Sequence, residues 1–133
     1  ADYLAGHPPI RTLDDLKRHA MIGYIPDMIF DRELDYLSAT GVASAVISSN
    51  SVSVQMQAIR AGAGLGIVHG FAMPFAPELR PVLGDQIALT RNFWLLRHAD
   101  DRASRRLNLL AEELAGRIRQ EIQRLEALLW QGA

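Results

Sequence analysis

Four polar residues stand together at Ser48–Ser51, directly after a short apolar run. Serine and asparagine cap helices by accepting backbone N–H groups, and the spacing of Val52, Met56 and Ile59 predicts that a helix follows. The exposed N–H groups and hydroxyls at such a helix start suit a carboxylate or a phosphate. Plain capping explains the same residues, so the binding and the structural interpretation both stay open.

Three glycines, Gly62, Gly64 and Gly66, form a G-x-G-x-G run after the predicted helix. A nucleotide-binding fingerprint must follow a strand and open a helix. These glycines instead open an apolar stretch at Leu65–Val68, and no Lys-Ser/Thr pair follows them. The run therefore predicts a tight helix-to-strand turn and not a phosphate loop.

The histidines give no recognisable metal-binding pattern with another histidine or a carboxylate three or four residues away. The four are His7, His19, His69 and His98. His69 follows an apolar stretch and could face the same cleft as the serines, or be a surface histidine. No G-x-S-x-G nucleophile motif and no cysteine is present. We therefore expect no catalytic residue, no metal and no cofactor.

The elements that must position these residues form a βαβ unit: a strand ending at Val46–Ile47, the capped helix, and a second strand at Leu65–Val68. Two strands joined through one helix are parallel and right-handed in nearly all proteins. This arrangement places the capped helix start at the carboxyl edge of the sheet. Ligands of α/β proteins usually bind at that edge.

Other segments are predicted from prolines, caps and apolar spacing. Residues 1–11 are predicted to be extended, and Thr12 with Asp15 forms a capping box that opens a short helix. The remaining predicted elements are strands at Met21–Ile25, Leu79–Leu83 and Phe93–Arg97, a short helix from Asp31 to Leu37, a helical turn or loop at Phe71–Pro77, and a long helix from about Arg102 to Trp130.

Composition limits the class of protein. The chain has 133 residues, of which 49% are apolar and 22% charged, as in an ordinary globular domain. A formal net charge of −1 offers no long-range attraction for DNA phosphates. No apolar stretch approaches the length of a membrane span. We expect a cytoplasmic location, although the composition alone is equally compatible with the periplasm. We also expect that the chain does not itself contact nucleic acid or membrane.

The order of these segments resembles the C-terminal half of the LysR-type transcriptional regulators. Four groups of residues carry the likeness: Tyr3-Leu4-Ala5 with Pro8, Pro9 and Leu13-Asp14-Asp15-Leu16; Ile22–Ile25; Ser49-Asn50-Ser51 with Ala58 and Ala61–Ile67; and Trp94-Leu95-Leu96 with His98 and Arg105-Arg106-Leu107. Together they cover the chain from Ala1 to about Arg119.

The resemblance implies a fold similar to the type 2 periplasmic binding proteins, in which two α/β subdomains enclose an effector. The chain would hold the second subdomain plus the C-terminal part of the first. Residues 1–10 would be a crossover linker, 11–77 the second effector-binding subdomain, and 78–133 the return to the first subdomain with a long C-terminal helix. The rest of the first subdomain and the DNA-binding winged helix-turn-helix would precede Ala1.

The resemblance also implies which residues contact the effector. They come from the loop after the first strand, from the start of the helix, and from the stretch after the last strand of the βαβ unit. These residues are Tyr24, Pro26 and Asp27; Ser49, Asn50 and Ser51; and His69 and Phe71. His69-Gly70 stands where the family often has a proline.

The predicted function is effector sensing and dimerisation in a bacterial LysR-type regulator, without catalysis. The expected partners are a small molecule, with an organic acid favoured by the helix start, and a second copy of the chain. A dimer or domain-swapped assembly would cover the apolar helix stripe and the open strand edges. DNA would be reached only through the missing N-terminal domain. The alternatives are a solute-binding protein of a transport system and an α/β oligomerisation domain whose caps and glycines are purely structural.

Overall fold

A computed structural model describes residues 2–29, 31 and 34–131. They form two compact units: Ala1–His69 with Phe75–Thr90, and Gly70–Pro74 with Arg91–Ala133. The helices and strands are α1 (Asp2–Ala5), β1 (Met21–Gly23), β2 (Ile47–Ser48), α2 (Val52–Arg60), β3 (Leu65–Gly66) and α3 (Arg105–Gln131). Short 3₁₀ helices cover Leu13–Arg18, Pro26–Met28, Ser38–Thr40, Gly70–Phe75 and Ala99–Ala103.

The first unit is built on a three-stranded parallel sheet with the order β2-β1-β3. Ile22 of the central strand lies opposite Ile47 on one side and Gly66 on the other. All of β1 is buried, as expected for a central strand of a parallel sheet. The predicted parallel βαβ unit is confirmed, although its strands are shorter than expected and β1 lies between them.

The helix of this unit begins where the polar residues predict. Ser51 is the N-cap of α2, and its hydroxyl oxygen accepts the backbone N–H of Val54 at 3.4 Å. The apolar spacing of Val52, Met56 and Ile59 predicts that the polar residue Gln55 lies on a solvated side of the helix. That prediction is wrong, because only 3% of Gln55 is exposed. Its side-chain amide is satisfied inside the unit, where Nε2 donates to the carbonyl of Ser49 at 2.6 Å.

The N-terminal segment differs from the predicted extended linker, because Asp2–Ala5 is helical. The capping box is confirmed: Thr12 and Asp15 open the 3₁₀ helix at Leu13–Arg18. The Asp15 carboxylate accepts backbone N–H groups from Arg11 and Thr12 at 3.0 and 2.9 Å. These bonds hold the pKa of Asp15 below its ordinary value. The predicted helix from Asp31 to Leu37 lies partly outside the described residues.

The strands predicted at Leu79–Leu83 and Phe93–Arg97 are wrong, since neither stretch joins a ladder within the described residues. The first stretch ends in a turn: Leu83 has a left-handed φ of 54°, and its carbonyl accepts the N–H groups of Gln86 and Ile87. A strand needs a neighbour to pair with, and apolar composition alone does not supply one.

The second unit is dominated by α3, a helix of 27 residues that is about 40 Å long. It begins at Arg105, a turn later than predicted, because Ala99–Ala103 forms a separate 3₁₀ helix. The apolar stripe is uneven: Leu125 is buried, whereas Leu107, Leu110, Leu114 and Ile118 are exposed. Within the described part of the chain, no helix is long and apolar enough to cross a membrane.

The close approach of β1 and β3 depends on Gly64. A Cβ atom there would overlap the backbone carbonyl oxygen of Ala20, whereas a Cβ at Gly116 would meet open space. We expect Gly64→Ala to lower the free energy of unfolding by about 3 kcal/mol. Gly116→Ala, the matched control in α3, should raise it by up to about 1 kcal/mol. Urea denaturation followed by circular dichroism measures both; a Gly64→Ala protein as stable as the parent would contradict this account.

The buried end of the α3 stripe should carry most of its packing energy. Leu125→Ala should cost about 2–4 kcal/mol, because the site loses buried apolar atoms and gains a cavity. Leu110, which is 61% exposed on the same helix, is the control, and at a protein concentration low enough to keep the chain monomeric Leu110→Ala should change stability by less than about 0.5 kcal/mol. Thermal melts of helical ellipticity compare the two, and equal losses would show that the stripe is covered along its whole length.

Candidate functional site

The carboxyl edge of the parallel sheet collects the segments that follow all three strands. The stretch Tyr24–Asp27 follows β1, Ser49–Ser51 follows β2, and Ile67–His69 follows β3. Parallel strands end at the same edge, and α/β proteins bind ligands there. Seven of the eight predicted site residues lie in these segments; Phe71 is the exception.

Hydrogen bonds join the loop after β1 to the start of α2. The side-chain oxygen Oδ1 of Asn50 accepts the backbone N–H of Ile25 at 3.4 Å. The backbone N–H of Ser49 donates to the carbonyl of Gly23 at 3.0 Å. Asn50 therefore links two segments that are 25 residues apart in sequence, and the predicted residues Pro26 and Ser51 lie next to that link.

The hydroxyl oxygens of the capping serines accept hydrogen bonds from nearby backbone amides, which leaves the hydroxyl hydrogens able to donate. The Ser49 hydroxyl oxygen accepts the N–H of Ser51 at 3.1 Å, and the Ser51 oxygen accepts the N–H of Val54. A hydroxyl that accepts one bond can still donate its hydrogen to another group. The first amides of the helix, at Val52 and Ser53, have no intrahelical carbonyl to accept them. This end of α2 therefore carries hydrogen-bond donors and the positive end of the helix dipole.

The predicted site residues differ in how much of their surface is exposed to solvent. Asn50, Ser51, Pro26 and Asp27 are exposed, whereas Ser49 is half-buried. Pro26 and Asp27 open the 3₁₀ helix at Pro26–Met28, where Pro26 occupies the first turn. A ligand at the sheet edge can therefore reach the cap and this loop without any rearrangement of the first unit.

Tyr24 lies in the core of the first unit. Its ring meets that of Tyr36 edge-to-face, with the centroids 5.5 Å apart. Such aromatic pairs add to the stability that their buried area provides. Tyr24 therefore holds the base of the loop after β1, and only a small part of its surface is accessible to a ligand.

His69 and Phe71 follow the third strand and belong to different units. His69 is half-buried three residues beyond β3, and β1 separates that strand from β2. Phe71 belongs to the second unit, where its ring lies 6.1 Å from that of Phe93. The first unit thus joins the two segments beside β1 and β2 by direct bonds, and His69 reaches the same edge through the third strand.

One positioning residue, Gln55, was not predicted from the sequence pattern. Gln55 holds the carbonyl of Ser49, so the residue that begins the cap is bound both at its N–H, by Gly23, and at its C=O. A glutamine one turn inside a helix that begins with a serine cap was the available signal. Within the described residues, no group of three or more histidine, cysteine, aspartate or glutamate side chains could hold a metal ion.

Comparison with known proteins gives one clear result. The chain matches the LysR substrate binding domain over residues 1–119. Searches of curated proteins and of solved structures returned no significant match. The matched range contains the whole parallel sheet, α2 and all eight predicted site residues. This family has a periplasmic-binding-protein-like α/β fold, which the parallel sheet and its helix resemble. Because the match covers most of its 133 residues, the chain belongs to the LysR substrate binding domain family.

Proposed function

We propose that this chain senses a small-molecule effector at the carboxyl edge of its parallel sheet, as part of a LysR-type regulator. The observation that carries the proposal is the bond from the N–H of Ile25 to Asn50, which joins the loop after β1 to the start of α2. The exposed side chains of Asn50 and Ser51 therefore lie beside the loop after β1, at the carboxyl ends of β1 and β2. The family match supports regulation and gives no support to a transport solute-binding role.

The effector class that suits this edge is a small organic acid. The start of α2 offers the amides of Val52 and Ser53 and the hydroxyl hydrogen of Ser51. Such donors, together with the helix dipole, stabilise a carboxylate. The remaining contacts proposed for the effector come from Tyr24, Pro26, Asp27, Ser49, His69 and Phe71.

The mechanism we propose is a shift between two populations. A ligand that binds one arrangement of the effector domain more tightly than another increases the share of that arrangement. In a LysR-type regulator the shift would reposition the DNA-binding domains attached to the effector domain. The free energy of effector binding and that of DNA binding would then be coupled. We further propose that residues 11–77 form one subdomain of this module, that 78–133 belong to the other, and that 1–10 cross between them.

A ligand panel tests the proposed acid preference. A set of small organic acids should raise the melting temperature of the chain, because a ligand of the folded state stabilises it by mass action. Ser51→Ala should weaken binding of the most stabilising acid roughly tenfold, the value of one hydrogen bond to a charged group. Calorimetric titration measures this, and each variant is compared with its own ligand-free state because loss of the cap alone costs about 1 kcal/mol.

Ser53→Ala is the matched control for this experiment. Ser53 is exposed and has the same hydroxyl within the first turn of α2, but Ser51, not Ser53, is the cap. Its substitution should leave the affinity unchanged. Equal weakening by Ser51→Ala and Ser53→Ala would show that the acid does not bind at the cap. If no acid stabilises the chain, the proposed preference for an organic acid is wrong.

We also propose that the chain associates with a second copy of itself through its second unit. That unit exposes large apolar side chains on the stretch before α3, including Trp94 at 81% and Leu96 at 86%. The first half of the α3 stripe is exposed as well. Large exposed apolar side chains in such numbers are typical of protein–protein contact surfaces.

Light scattering coupled to size exclusion tests this self-association. The chain should elute as a dimer at high micromolar concentration, and the double variant Trp94→Arg with Leu96→Arg should shift it to a monomer. Val54→Arg is the control, since Val54 is an exposed apolar residue of the first unit. A monodisperse monomer for the parent chain would contradict the proposal.

A further inference from the structure

The N-terminal segment is tied to the entry of β1 by a cluster of aromatic side chains. The Tyr3 hydroxyl oxygen accepts the backbone N–H of Ala20 at 3.1 Å and lies 3.3 Å from Nδ1 of His19. The His7 ring stacks on Tyr3 with the centroids 3.9 Å apart, and its Nδ1 lies 2.7 Å from the Tyr3 carbonyl oxygen. We refer to Tyr3, His7, His19 and Ala20 as the N-terminal clasp.

His19 is the enclosed member of the clasp. Only 7% of the residue is exposed, and its Nε2 is buried without a hydrogen-bond partner in the part of the chain that the structure describes. Neutral His19 accepts the Tyr3 hydroxyl at Nδ1 only when its proton sits on Nε2. A buried polar group without a partner carries a desolvation cost, so this arrangement is costly even before a charge is added.

The charged and titratable groups around His19 do little to stabilise the positive charge of a protonated ring. Tyr3 comes from α1 and His7 from the stretch just after that helix, with the His7 and His19 rings 5.8 Å apart. Asp15 and Arg18 come from the 3₁₀ helix that precedes His19. Burial first, then His7, lowers the pKa of His19, and Arg18 lowers it further. The Pro8 backbone and Asp15 act in the opposite direction without reversing the effect.

We propose that His19 is a proton-operated release for the N-terminal segment: neutral His19 keeps Tyr3 on β1, and protonated His19 frees residues 2–10 from it. The proton binds at Nδ1, so the atom that accepts the Tyr3 hydroxyl becomes a donor. The same step places a positive charge in a buried site beside His7. Opening of the clasp returns the charge to water, and the sheet itself does not need to unfold.

The direction of the pH effect follows from the lowered pKa. Above the ordinary histidine value of 6.5, His19 is neutral in the folded and the unfolded chain, and the clasp is at full strength. Below it, the unfolded or open chain binds a proton that the closed clasp does not. Stability is therefore lost as the pH falls from 6.5 through the lower pKa of the closed state, by up to about tenfold in the equilibrium constant per pH unit.

Amide hydrogen exchange of the whole chain, measured between about pH 7.5 and pH 5.5, reports the opening of the N-terminal clasp. The Ala20 amide donates to Tyr3, whereas the Leu65 amide donates to the Ala20 carbonyl in the sheet. After correction for intrinsic exchange, protection of the Ala20 amide should fall by up to about tenfold more than that of the Leu65 amide over this range. Equal changes at the two amides, or no change at Ala20, would overturn the proposal.

Two variants separate His19 from the other histidines. His19→Asn keeps an oxygen acceptor for the Tyr3 hydroxyl and removes the titration, so the pH dependence at Ala20 should disappear. His98→Asn, with a parent side chain that is 74% exposed, should leave it intact. If His19→Asn does not fold, a proton NMR titration of the parent chain decides: a His19 pKa at or above 6.5 refutes the release. None of these measurements uses a ligand, so they succeed or fail independently of effector binding.

Discussion

The backbone of β1 forms hydrogen bonds to a strand on each side. Each segment at the candidate site follows one of these three strands, so its position depends on those bonds. Its entry residue Ala20 accepts the N–H of Leu65 at 2.8 Å, and Met21 accepts that of Val46 at 2.8 Å. A buried central strand without these partners would leave polar groups unsatisfied at a cost that side-chain packing could not offset. The glycine at position 64 is part of the same constraint, because it lets β3 approach closely enough for the bond to Ala20.

The carboxyl edge of this sheet uses the same residues for folding and for the function we propose. Ser49 and Ser51 cap the helix with their oxygens, while Gln55 and Asn50 bind the backbone that surrounds them. Groups fixed in this way lose little conformational freedom when a ligand binds, which favours affinity. The two interpretations of the cap, structural and ligand-binding, are therefore compatible and do not compete for the same hydrogen-bonding atoms.

Local signals in the sequence worked where the structure itself is local. The cap at Ser51, the apolar spacing of α2 and α3, and the capping box at Thr12 each depend on residues within a turn or two of one another. The predicted strands at Leu79–Leu83 and Phe93–Arg97 failed, since a strand is stable only with a distant partner that composition does not reveal. The helical N-terminal segment was missed for the same reason, because the Tyr3 hydroxyl binds Ala20, 17 residues away.

The sequence by itself determined the family, the parallel βαβ unit and the polar cap at the start of α2, because helix caps and apolar periodicity act over a few residues. Only the tertiary structure decided that β1 lies between β2 and β3, that Asn50 bonds to Ile25, and that Gln55 and His19 are buried. Each of these depends on contacts between residues far apart in sequence. Burial of a polar side chain is settled by whether a distant partner satisfies it, and no local pattern encodes that partner.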